Sequence, residues 1–195
     1  MQQDPSNGFD AVAPAYVAGR GRDPDGVGAA VVRAWAAELP PGAAVLDLGC
    51  GPGVPITQAL VDAGLQVWAV DASPRMLAAF RARFPHVPAE CVSVEASRFF
   101  DRRFDAVVAW GLLFLLEEDA QALVITKVAR ALPPGGRFLF TAPAEPCAWR
   151  DAQTGRPSRA LGAARYAALL AAEGLAVDGT ATDEGENHYY FAHKP

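Results

Sequence analysis

With 195 residues, 51% of them hydrophobic and 20% charged, the chain is long enough to bury a core and too apolar to stay disordered. Its net charge of −5 excludes a broad basic face of the sort that grips a nucleic-acid backbone. Cys50, Cys91 and Cys147 lack the number or spacing of a disulfide framework or a zinc site, so no metal is expected.

The opening stretch, MQQDPSNGFD, is polar and lacks the apolar core of a signal segment. The longest apolar run, Ala106–Leu116, is too short to cross a bilayer, so the expected location is the cytoplasm, with no membrane contact. AAVLDL (Ala43–Leu48) reads as a buried strand that runs into GCGPG. Ile56, Leu60 and Val61 then share a helical face until Gly64, and QVWAVD (Gln66–Asp71) is a second strand. Ser73-Pro74 supplies an N-cap and a first-turn proline. Met76, Leu77, Phe80 and Phe84 recur at helical spacing up to Pro85. A third strand is expected over Glu90–Val94, with Cys91 in the core, and a fourth over Phe104–Trp110. Between them Arg98, Arg102 and Arg103 read as a solvated turn. A helix over Asp119–Leu132 stops at PPGG (Pro133–Gly136), before a fifth strand, Arg137–Ala142. Glu145–Pro157 reads as an irregular surface loop and Ser158–Glu173 as a helix stopped by Gly174. Leu175–Thr182 and His188–His193 form a hairpin around DEGEN.

Strand–helix alternation at this spacing predicts a parallel sheet with helices on both faces and an antiparallel edge from the hairpin. Right-handed crossovers gather the strand-to-helix turns on one edge, where ligands bind. The strongest local signal is VLDLGCGPG (Val45–Gly53). Gly49, Gly51 and Gly53 suit a tight turn that a ligand approaches along bare backbone. Asp71 ends the second strand 20 residues after Gly51, where a carboxylate accepts from both hydroxyls of a ribose. A dinucleotide site wants a third glycine where Val54 stands. Asp47 adds a negative charge that is unwelcome to a pyrophosphate and suits a ligand carrying an ammonium and a sulfonium.

VLDLGCGPG, VWAVDASPRML (Val67–Leu77), FDAVVAWGLL (Phe104–Leu113) and ALPPGGRFLFTAP (Ala131–Pro143) together resemble the class I S-adenosylmethionine-dependent methyltransferases. The resemblance implies a Rossmann-like three-layer α/β/α sandwich: a mostly parallel seven-stranded sheet with a C-terminal antiparallel hairpin. It divides the chain into N-terminal capping helices (1–40, with FDAVAPAY, Phe9–Tyr16), a cofactor-binding core (43–143) and a C-terminal helix and hairpin (144–195), all one domain. It implies S-adenosylmethionine as cofactor and S-adenosylhomocysteine as product. The turn from Asp47 through Gly49, Cys50 and Gly51 to Gly53 is expected to hold the methionine part, and Asp71 the ribose. Ala72 and Met76 flank the adenine. Glu95, Ala96 and Ser97 occupy the adenine-edge position, where the family commonly carries an Asp. Trp110 stands at the mouth nearest the transferred methyl.

Methyl transfer from a sulfonium needs alignment and exclusion of water more than a catalytic triad. Many small-molecule relatives carry a histidine or asparagine just after strand four; here that stretch is WGLLFLL (Trp110–Leu116). Together with the acidic balance, this favours a flat or apolar small-molecule acceptor and no nucleic acid. Acceptor contacts are expected from Tyr16, Trp110, Trp149 and His188, with Arg20, Arg22 and Asp151 as further candidates. No catalytic residue is assigned. Two other classes stay open: a non-catalytic S-adenosylmethionine-binding module, and an NAD(P)-dependent oxidoreductase, against which Val54 and the missing YxxxK pair stand.

Overall fold

A computed structural model describes residues 4–195; Met1–Gln3, the start of the polar opening stretch, lie outside them. Nine strands follow in chain order: β1 (Ala44–Leu48), β2 (Gln66–Asp71), β3 (Ala89–Cys91), β4 (Ala106–Ala109), β5 (Arg137–Thr141), β6 (Cys147–Arg150), β7 (Pro157–Ala160), β8 (Ala176–Thr182) and β9 (His188–His193). Six α-helices accompany them: α1 (Phe9–Ala18), α2 (Ala29–Ala36), α3 (Ile56–Asp62), α4 (Pro74–Arg83), α5 (Glu118–Ala131) and α6 (Ala163–Ala172).

The main sheet has seven strands in the order β3-β2-β1-β4-β5-β9-β8. The five at the β3 end run parallel, and β9 joins β5 and β8 antiparallel. Alternation along each strand feeds two cores. Leu46, Leu48, Val107, Phe138 and Phe140 pack under α5 and α6 through Val124, Ile125, Val128, Tyr166 and Leu170. Val45, Val67, Val108 and Leu139 face α2 and α3 through Val32, Trp35, Ala59 and Leu60. Leu77 and Phe80 of α4, with Phe84 just after it, cover Ala69. Burying both faces of a sheet demands near-continuous apolar strands, which is what β1, β4 and β5 are. Among the described residues no helix is long and apolar enough to cross a membrane.

The structure corrects the sequence reading in four places. Glu145–Pro157 is not irregular: Cys147–Arg150 pairs antiparallel with Pro157–Ala160 in a separate two-stranded ribbon. The helix expected over Ser158–Glu173 therefore starts at Ala163. Gly162, at φ 85° and pressed against Pro146, breaks the run, and buried Gln121 donates to the Arg159 carbonyl, tying the ribbon to α5. The third strand is shorter than expected and Cys91 is exposed at its end, because the chain turns away at Ser93, whose carbonyl accepts from the Ala96 and Ser97 N–H groups. Arg102 is more than a solvated turn residue: its guanidinium lies 3.8 Å above the Trp68 ring.

Candidate functional site

The site forms at the carboxyl ends of β1, β2 and β4. From β1 the chain first winds towards β2 and β3 and then crosses to β4 on the other side, so the crevice between β1 and β4 is a topological switch point. After β1 the Gly49 and Cys50 N–H groups both donate to the Val70 carbonyl, at 2.8 and 3.1 Å, holding the turn against β2. Asp71 finishes the clamp. Its Oδ2 accepts from the Gly51 N–H and its Oδ1 from the Ser73 N–H, each at 2.8 Å.

Two glycines of this turn serve different ends. Gly51 has φ +53° and nothing within 4 Å of where a Cβ would stand, so bare backbone faces the cavity. Gly53 has φ +85°, and a Cβ there would lie 2.4 Å from Phe84 Cε2 and 2.9 Å from Phe80 Cδ2. It lets α4 lie close beneath the turn and does not reach the cavity. Gly53→Ala is therefore expected to lower stability by about 2–4 kcal/mol, combining left-handed strain with overpacking. A urea titration with an unchanged midpoint would show that the turn tolerates the side chain.

A cavity opens over the turn and brings together most of the sequence-expected residues. Asp47, Gly49, Cys50 and Gly51 line it from β1, and Asp71, Ala72 and Met76 from β2 and α4. Glu95 joins from the loop after β3, together with Ser93 and Val94, and Trp110 joins after β4 with Leu112 and Phe114. Tyr16 and Arg20 reach it from the N-terminal segment, and Asp151 and Gln153 from the ribbon tip. The two covering segments touch, since a Cβ on Gly8 would lie 3.0 Å from Thr154 Cβ.

Asp47 is 1% exposed. Burial pushes its carboxyl up to about 7, against the pull of the Thr57 hydroxyl, which donates to Oδ2 at 2.5 Å. Burial also raises Asp71, opposed by the Ser73 and Gly51 N–H groups. The Cys50 thiol is pushed up by burial, which leaves it a neutral, unreactive turn residue. Burial raises the Tyr16 hydroxyl too.

The remaining expected residues lie elsewhere. Ala96 is exposed. Ser97 is buried; its hydroxyl donates to Glu90 Oε2 and accepts from the Phe99 N–H. The loop that holds them is fixed by Lys127, whose ammonium donates to the carbonyls of Val94, Glu95 and Ser97 at 2.6, 2.8 and 2.6 Å. Trp149 packs on Phe114 with ring centroids 5.4 Å apart, and the His188 ring meets the Tyr190 ring edge to face; neither lines the cavity. The structure adds Asn187 to the lining and adds Asp10, whose carboxylate accepts from the Ser73 hydroxyl and the Arg75 N–H and so ties α1 to α4. These partners lie 63 and 65 residues apart, and no local pattern announces them.

A glycine turn and two acidic strand ends at the switch point of a parallel sheet define a Rossmann-like cofactor-binding domain. Residues 45–136 match a family described as a methyltransferase domain. An uncharacterized methyltransferase of Mycobacterium tuberculosis is 42% identical over 97 residues, 48% of this chain and 37% of that protein. A cypemycin N-terminal methyltransferase of a Streptomyces species is 38% identical over 119 residues, 57% and 48% of the two chains. The chain spans less than half the length of these curated relatives. The structure of a Burkholderia thailandensis 1,6-didemethyltoxoflavin-N1-methyltransferase superposes with a TM-score of 0.71 at 24% identity, covering 97% of this chain and 90% of that one. Over residues 45–136 the chain is thus similar to methyltransferase domains, and it shares the fold of solved S-adenosylmethionine-dependent methyltransferases.

Proposed function

We propose that this protein transfers a methyl group from S-adenosylmethionine to a small-molecule acceptor. One observation carries the reading. The bare Gly51 backbone, buried Asp47 and the Asp71 carboxylate converge on one cavity whose far wall is Trp110, Leu112 and Phe114.

The residues fit the cofactor part by part. Each Asp71 oxygen has one lone pair engaged by backbone N–H and one left for a ribose hydroxyl. Ala72 and Met76 give the adenine an apolar bed, with Glu95 and its neighbours at its edge. Asp47 is the carboxylate for the methionine ammonium, and Arg20, a guanidinium on the same cavity, serves the methionine carboxylate. Gly53, Ala96 and Ser97 support the pocket from behind. When bound, the cofactor supplies an electrophilic methyl on sulfur. The chain's own part is to align the acceptor and exclude water, which Trp110, Leu112 and Phe114 do on one side and Tyr16 on the other. The structure with bound 1,6-didemethyltoxoflavin supports a small acceptor by likeness of fold.

Calorimetry tests the reading directly. S-adenosylmethionine and S-adenosylhomocysteine are expected to bind and NAD is not, because Val54 takes the third-glycine position and Asp47 repels a pyrophosphate. Binding of NAD in place of the adenosyl ligands would overturn it. Release of S-adenosylhomocysteine in the presence of acceptors then separates an enzyme from a binding module.

A further inference from the structure

The cavity wall beside Trp110 is fixed by a polar network that the cofactor does not need. Trp110 Nε1 donates to the Tyr189 hydroxyl at 2.7 Å, and that hydroxyl donates to Asp183 Oδ2 at 2.7 Å. Asn187 Nδ2 donates to both Asp183 oxygens at 3.0 Å, and the Asn187 backbone N–H adds a third contact at 2.9 Å. Burial works to raise the Asp183 carboxyl, but the hydrogen bonds from Tyr189 and Asn187 outweigh it and hold the group below its ordinary value. Burial and Asp183 push the Tyr189 hydroxyl up, so it stays a donor to Asp183.

This arrangement settles which way the Asn187 amide points. Its NH2 group sits on a carboxylate, so its Oδ1 faces away from Asp183, and among the described residues no donor reaches that oxygen. Asn187 itself lines the cavity together with Trp110 and Leu112. Beside Trp110 and Leu112, Asn187 thus brings a hydrogen-bond acceptor to the lining, on a side chain held by the carboxylate that also fixes the neighbouring indole through Tyr189.

Resting on the proposed methyltransferase reading, we infer that Asn187 Oδ1 selects the acceptor, a small neutral amine bearing at least one N–H. A carboxamide oxygen accepts a hydrogen bond but is too weak a base to remove a proton. A hydroxyl acceptor held at Asn187 needs a base beside it to become nucleophilic, and Asp183, the carboxylate next to Asn187, is occupied by Tyr189 and Asn187. A neutral amine needs alignment alone. With its N–H on Asn187, the nitrogen lone pair is free to form the new N–C bond. The S–C bond breaks with its electron pair remaining on sulfur, and the resulting ammonium gives its proton to water.

The test uses matched sets in which one frame carries an amino, hydroxyl or thiol group, with amines that are neutral at pH 7.5: aniline, phenol and thiophenol, with the naphthyl equivalents. Ligand-observed NMR on S-adenosylhomocysteine-saturated protein measures binding, and S-adenosylhomocysteine release from S-adenosylmethionine measures transfer. Wild type is expected to favour the amines about tenfold or more in both readouts, a preference that Asn187→Leu, still saturated with S-adenosylhomocysteine, removes. A hydroxyl or thiol preference, an unchanged preference in Asn187→Leu, or no engagement of any amine would overturn the inference while leaving the cofactor reading intact. Absence of S-adenosylhomocysteine binding would overturn both.

Discussion

Asp71→Ala is expected to weaken S-adenosylmethionine binding at least about a hundredfold in Kd, the largest single-site effect on the cofactor. A hydrogen bond to a charged acceptor contributes about 1.5–3 kcal/mol, and a ribose offers two. The same substitution frees the Gly51 and Ser73 N–H groups, which now share the carboxylate, so the turn loses its clamp on β2 as well as its ligand group. Asp71→Asn divides the two effects: it keeps one accepting oxygen but sets an NH2 group against one of the two N–H donors. Its affinity is expected to fall less than that of Asp71→Ala, with a visible loss of thermal stability. Calorimetry on variants whose melts show a folded domain checks this. An unchanged Kd in folded Asp71→Ala would remove Asp71 from the site.

Cofactor affinity is also expected to rise several-fold, approaching tenfold, between pH 6 and pH 7.5, with net proton release on binding at pH 6. The cause is Asp47, whose carboxyl burial lifts from 3.8 to about 7. At pH 6 most of the free protein holds Asp47 neutral, and a cationic ligand must ionise it. The sign for stability follows from the same shift. Below pH about 4 the group is protonated in both folded and unfolded chains, and its favourable contribution is fully present. As pH rises towards 7 the unfolded chain sheds its proton while the folded one retains it, so stability falls, by an order of 4 kcal/mol in total, and then levels off. Asp47→Asn, which keeps a partner for Thr57, is expected to flatten both profiles and to bind the cofactor more weakly at pH 7.5. Calorimetry in two buffers of different ionisation enthalpy reads the released proton directly. Equal affinities at the two pH values would take Asp47 away from the ammonium.

What could be read from the residues was what short range decides. Ser73-Pro74 predicted a helix start, and Ser73 Oγ does accept from the Met76 N–H. Val45–Gly53 and Asp71 predicted a turn against a second strand, and one carboxylate joins them. The ribbon Cys147–Ala160 was not legible, because its first strand buries no residue and its second buries only the small Ser158 and Ala160, so neither shows a run of large apolar residues. The apolar run around Tyr166 and Leu170 then drew the predicted helix too far back, across Ser158. The cavity wall escaped for a different reason. Trp110 and Tyr189 meet across 79 residues, and Asn187 matters through Asp183, so each reads alone as an ordinary turn or strand residue.

The segments that cover the cavity differ in kind from the sheet beneath it. Helix α1 buries Ala13 alone, and β6 buries none of its four residues, whereas β1 and β4 are almost wholly enclosed. Local free energy of opening follows buried apolar contact. In native-state hydrogen exchange the amides of α1 and the ribbon should therefore trade protons through sub-global openings long before those of β1, β4 and β5. The covers then undock as units while the platform keeps its shape. On the proposed function, a product leaving from beneath them would need no disturbance of the turn between β1 and α3, and lifting of the covers would cap the rate of its release.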